Sequence, residues 1–100
     1  MTNIASIKME NISKIDMESE GDQNGFFSII LKDKTTYDGW SCGQGSFTEL
    51  ETDEQVPEWI NNLLFDLWHR MPCDEEGDDR TFASFTPFPR NNNTIWIMSA

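Results

Sequence analysis

The stretch Pro57-Glu58-Trp59-Ile60-Asn61-Asn62-Leu63-Leu64-Phe65-Asp66-Leu67-Trp68-His69-Arg70-Met71 decides the fold class. Trp59, Ile60, Leu63, Leu64, Leu67, Trp68 and Met71 recur at the i, i+1, i+4, i+5 spacing of one helical face, so the segment reads as an amphipathic helix turned toward a core. Both ends carry chemical signals. Proline at the first helical position removes no intrahelical bond, Glu54 and Glu58 complement the positive end of the dipole, and Pro72 disfavours helical backbone at Met71. A start at Thr52 or Asp53, boxed by Gln55, would place Pro57 inside the helix and delete a backbone bond, so the later start is preferred.

On both sides of this helix the pattern has period 2. Ile7 and Met9 alternate with Ser6 and Lys8 within 4–9, and Ile15 and Met17 alternate with Asp16 and Glu18 within 15–20, which reads as one long irregular strand or two short ones. Asp22-Gln23-Asn24-Gly25 signals a turn, and Phe26 to Leu31 is a buried-strand run, so a hairpin is expected. Lys32-Asp33-Lys34-Thr35 is a second polar turn leading to a strand over Tyr37 to Cys42. Beyond the helix, Thr81 to Phe88 and Thr94 to Met98 alternate apolar with small residues around Asn91-Asn92-Asn93. Pro87 and Pro89 cannot donate to a ladder, which puts that end of the strand at an edge or a bulge. The resulting order is β-β-β-α-β-β: an α+β fold with an antiparallel sheet of about four to five strands packed against one amphipathic helix.

A chain of 100 residues has room for one core, and residues 1–100 are read as a single small acidic domain. Aromatics make up 12% of the chain and include four tryptophans, enough large apolar side chains to offset chain entropy despite the acidity. Trp59 and Trp68 fall on the apolar stripe of the helix, and Trp40 and Trp96 on strands; all four are read as core. No segment approaches the roughly 20 apolar residues of a membrane span, and the N-terminal stretch lacks the apolar run of a secretory signal, so a soluble, intracellular (cytoplasmic) protein is expected. Cys42 and Cys73 have no C-x-x-C spacing and are read as free thiols.

Charge is the main functional signal. Eighteen acidic against seven basic side chains give a net charge of -11, which repels nucleic acid and anionic membranes and attracts a basic protein. Asp74, Glu75, Glu76, Asp78 and Asp79 place five carboxylates in six positions, and Arg80 can neutralise only one of them. The rest present negative groups at spacings comparable with backbone phosphates. Glu49, Glu51, Asp53, Glu54 and Glu58 form a second acidic group at the helix entry. Glu49 and Glu51 alternate with Thr48 and Leu50 as if on the outer face of an extended segment. Phe65 lies about 150° from the centre of the apolar stripe, near Glu58, Asn62 and His69, and is a candidate aromatic anchor for a partner. These eleven residues are the expected partner-binding set.

No catalytic, metal or cofactor signature accompanies them. The 74–79 run lacks the order of a calcium loop. Cys42 and His69 could form a thiol–imidazole pair, but no motif brings them together and an acidic setting raises a thiol pKa. Gly43-Gln44-Gly45 is too short for a nucleotide loop. A non-enzymatic protein without a cofactor is expected.

In size and acidity the chain resembles the broad group of phage anti-restriction and anti-CRISPR proteins, a likeness of general character only. The expected function is that of a small acidic inhibitor that covers the basic surface of a nucleic-acid-processing protein and blocks DNA or RNA access. A bacterial immunity protein that neutralises a basic nuclease toxin needs the same complementarity. A non-inhibitory adaptor, recruiting through Phe65 or a sheet edge, is the alternative of a different class.

Overall fold

A computed structural model describes residues 4–21, 24–42, 46–51, 53–71 and 81–99. The fold is α+β, with one open six-stranded antiparallel sheet and one α-helix among the described residues. In chain order the strands are β1 (Ile12–Gly21), β2 (Asn24–Leu31), β3 (Thr36–Cys42) and β4 (Phe47–Glu49), followed by helix α1 (Glu58–Arg70), β5 (Thr81–Arg90) and β6 (Asn93–Ser99). Across the sheet they run β4-β3-β2-β1-β5-β6. Four strands form a meander to one side, and the hairpin that follows the helix adds to the outer side of β1.

The strand missing from the sequence expectation is β4. Its three residues are too short for a periodic signal, and it is anchored instead by long-range bonds. The Phe47 N–H donates to Asn61 Oδ1 at 2.9 Å, and Thr48 bridges to Gln55. The expected strand over 4–9 is also corrected. Ile4–Ser6 and Met9–Asn11 are 3₁₀ turns, and Ile4 and Ile7, both buried, share one side because that helix has three residues per turn. Strand β1 begins only at Ile12. A register shift between Ile12 and Lys14 inserts one extra residue, which lets Ile12 and Ile15 both face the core although they are three apart.

The first hairpin pairs Gly21 with Asn24, so Asn24 and Gly25, expected in the turn, belong to β2. Asp22 and Gln23 lie outside the described residues. The last hairpin turns on Asn91 and Asn92, whose φ values of 50° and 68° are those of a two-residue type I′ loop closed by Arg90↔Asn93. Counting back from that hydrogen-bonded pair puts Pro87 and Pro89 at non-hydrogen-bonded positions toward β6. Their lack of an N–H falls on the opposite side, where β5 has run past its pairing with β1, which spans only Thr81 to Phe85.

The helix covers one face of the sheet. Ile60, Leu64 and Leu67 are fully buried against Ile15, Phe27, Ile29 and Phe85, each contributing roughly 1.5–3 kcal/mol by area. Trp59, Leu63 and Trp68 are half-buried at the margin of this core. Pro57 is the cap of α1 rather than its first residue, with φ -56° and ψ 152°, and its carbonyl accepts from the Asn61 N–H at 2.9 Å. Phe27, Phe47 and Trp68 form an edge-to-face chain with centroid distances of 5.9 and 6.2 Å. Two glycines make room for it. A Cβ at Gly39 would run into the Phe27 ring and the Thr48 carbonyl, and one at Gly25 into the Trp68 indole. At the other end of the helix, Arg70 donates to the Trp96 carbonyl at 2.6 Å and lies 5.6 Å from the Phe85 ring centre.

Candidate protein-docking face

A strand alternates its side chains between two faces, and the helix covers only one of them. The register therefore specifies what the open face carries. One row reads Thr48, Trp40, Phe26, Glu18, Phe82 across β4, β3, β2, β1 and β5, because Trp40 pairs with Thr48 and Phe26, and Glu18 pairs with both Phe26 and Phe82. The three aromatics in this row are exposed: Phe26 by 44%, Trp40 by 40% and Phe82 by 54%.

The next row reads Asp38, Ser28, Asp16, Ser84. Here each carboxylate accepts from the serine beside it. Ser28 Oγ donates to Asp38 Oδ1 at 2.5 Å, and Ser84 Oγ donates to Asp16 Oδ1 at 2.6 Å. Lys14 Nζ lies 3.6 Å from Asp16 Oδ2. Toward β6 the same face continues into Phe88, Ile95 and Ile97, all exposed. The arrangement is an apolar, largely aromatic surface with fixed carboxylates set into it. Its chemistry suits cationic and apolar groups of a protein and opposes phosphate.

Between Phe26 and Phe82 the open face sinks into a groove of about 100 Å³ lined by Asp16, Glu18, Ser28 and the two rings. A second cleft of about 590 Å³ lies where β5 runs past β1; its polar lining is Lys8, Glu10, Ser13, Lys32 and Thr94, beside Pro87 and Pro89. Neither is lined by His69. That imidazole packs edge-on against Phe65 with ring centres 4.3 Å apart, and its Nδ1 is 2.8 Å from the Phe65 carbonyl oxygen. Cys42 belongs to β3, and Cys73 lies outside the described residues. Among the described residues no group of three or more His, Cys, Asp and Glu side chains is placed to hold a metal ion. No helix there is long and apolar enough to cross a membrane.

The partner-binding residues expected from sequence fall in different places. Asp74, Glu75, Glu76, Asp78 and Asp79 lie outside the described residues. Glu51, Asp53, Glu54 and Glu58 are exposed around the helix entry. Glu49 is not: it is 4% exposed and points to the helix side. Phe47 sets this orientation. Once its ring enters the core, period 2 carries Glu49 inward and turns Thr48 and Leu50 outward, the reverse of the expected facing. The Glu49 backbone also closes a local turn, accepting from the Asp53 N–H at 2.9 Å and donating to the Glu54 carbonyl at 2.8 Å. Phe65 is exposed as expected, at 43%, but on the outer side of α1, away from the open face.

Trp40, read as core, is on the open face instead, whereas Trp96 is buried. The residues missed are Asp16, Glu18, Phe26, Asp38, Trp40 and Phe82. A signal for them existed: Asp16, Glu18 and Asp38 mark the solvent side of their strands, and Phe26 and Trp40 have the parity of that side.

Compared with known proteins, the chain matches no family model, no curated protein and no solved structure.

Proposed function

We propose that the protein is a non-enzymatic, stoichiometric inhibitor that seats the open face of its sheet on the basic surface of a nucleic-acid-processing protein and thereby blocks DNA or RNA access. The observation that carries this reading is the exposed row Trp40, Phe26, Phe82 with Glu18 and the Asp16 and Asp38 carboxylates set among it. Such a surface provides the large aromatic contacts that dominate binding energy, ringed by groups that select a cationic partner. The net charge of -11 accelerates encounter with such a partner and makes the rate sensitive to salt. The acidic groups at 74–79 and around the helix entry add to that long-range field, and the open face supplies short-range specificity. The immunity-protein form differs only in the identity of the basic target.

The test is a competition assay on purified CRISPR, restriction and toxin-nuclease complexes. The expected result is displacement of labelled DNA or RNA from one of them at stoichiometric protein, weakening as salt rises. Binding that leaves nucleic-acid affinity unchanged contradicts inhibition by occlusion.

A further inference from the structure

The groove between Phe26 and Phe82 differs from the rest of the open face, because it combines two aromatic walls with carboxylates at its floor. Glu18 on β1 is opposed by Phe26 on one neighbouring strand and by Phe82 on the other. Strands adjacent in a sheet lie about 4.8 Å apart, so the two rings stand roughly 10 Å from each other with Glu18 between them. Asp16 stands two residues along the same strand and lines the same groove.

We infer that this groove is a binding site for an arginine side chain of the partner protein. The inference rests on the reading that the open face meets a cationic protein surface. A guanidinium is planar, weakly hydrated and able to stack on an aromatic face while its edge donates to a carboxylate. The groove, of about 100 Å³, is large enough to seat such a head group.

The two carboxylates have different parts. Asp16 Oδ1 already accepts from Ser84, and its charge is shared with Lys14 at 3.6 Å. Glu18 lies between the rings and is the main ion-pairing group. It already engages a neighbour within the chain, but a carboxylate has about four acceptor positions, enough for an internal contact and an arriving guanidinium together. Lysine fits this groove less well, since its compact ammonium is strongly hydrated and has no flat face to stack.

The probes are capped tetra-arginine and tetra-lysine peptides, titrated at low salt into the full-length ¹⁵N-labelled protein. The expected result is that tetra-arginine shifts the amides of Glu18, Phe26 and Phe82 and binds about fivefold more tightly than tetra-lysine, the scale of an exposed cation–π contact. Glu18→Gln and Phe82→Ser, each checked for a dispersed spectrum, should both remove that preference. Phe82 is exposed, so its loss tests the groove if Glu18→Gln perturbs the strand. Equal affinity for the two peptides, or a preference that survives both substitutions, overturns the arginine site. If the open-face amides still shift in that case, the docking face stands without the site. Shifts confined to residues 74–79 and the helix entry overturn both.

Discussion

Ser84 on β5 donates its hydroxyl to Oδ1 of Asp16 on β1 at 2.6 Å, between residues that are direct partners in the sheet register. The bond fixes a carboxylate on a face that no element among the described residues covers. Ser28 and Asp38 repeat the arrangement two strands along. On the proposed reading these carboxylates are oriented before a partner arrives, and groups held in place before contact lose less freedom on binding.

Ser84→Ala removes the donor to a half-buried carboxylate and should lower stability by about 1 kcal/mol. Ser28→Ala, whose partner Asp38 is exposed, should lower it by less. Urea unfolding of the two variants and wild type checks the order. Equal losses would contradict the difference in burial on which it rests.

Gly39→Ala forces a methyl group into the Phe27 ring and the Thr48 carbonyl. The expected loss is about 1–3 kcal/mol, typical of overpacking a filled core. Backbone at Thr48 has little freedom to retreat, since β4 is held both by β3 and by Asn61. An unchanged unfolding midpoint would show that β4 gives way easily.

Asp33 accepts from the Thr35 backbone N–H at 2.9 Å in the β2–β3 turn. That bond, helped by the Thr35 side chain, holds its carboxyl below the ordinary aspartate value. A depressed folded pKa means that the turn is favoured above the unfolded-state pKa and that this contribution disappears as pH falls through the folded one. Asp33→Asn should therefore melt below wild type at neutral pH, with the gap closing in acid. Thermal unfolding of both proteins across that range is the measurement; a gap that widens in acid reverses the sign.

Asn92 adopts φ 68° in the last hairpin, a conformation open to glycine without a side-chain penalty. Asn92→Gly supplies the Asn-Gly pair favoured in type I′ turns and should raise stability by about 0.5 kcal/mol, readable as a small rise in melting temperature. A fall would mean that the asparagine side chain holds the turn by a bond of its own.

The helix was legible because seven apolar residues repeat with one period over thirteen positions, and Pro57 and Pro72 bracket them. Strands β2, β3, β5 and β6 were legible for a similar reason. Strand β4 was not, because three residues carry no period and its partner Asn61 is fourteen positions away. The alternation of Glu49 with Thr48 and Leu50 carries no sign of which side faces out; burial of Phe47 decides it and turns Glu49 inward. The open-face row was hidden by registry. Phe26, Trp40 and Phe82 come from three separate stretches, and only the pairing of Phe26 with Trp40 and of Glu18 with Phe26 and Phe82 brings them together. The ten expected carboxylates follow density of charge along the chain and Phe65 its place on the helix, whereas a sheet surface collects its residues across strands.

The central claim is that the open face of the sheet, more than the acidic segments, makes the short-range contact with a basic protein. The most direct measurement compares three proteins against the nuclease or CRISPR complex that the competition assay identifies: wild type, a Phe26→Ser/Trp40→Ser/Phe82→Ser variant, and a variant with Asp74, Glu75, Glu76, Asp78 and Asp79 reversed to lysine. Removal of the aromatic row should weaken equilibrium binding by about 100-fold or more, mainly through faster dissociation, while charge reversal should mainly slow association. Full affinity in the folded aromatic variant would contradict the account.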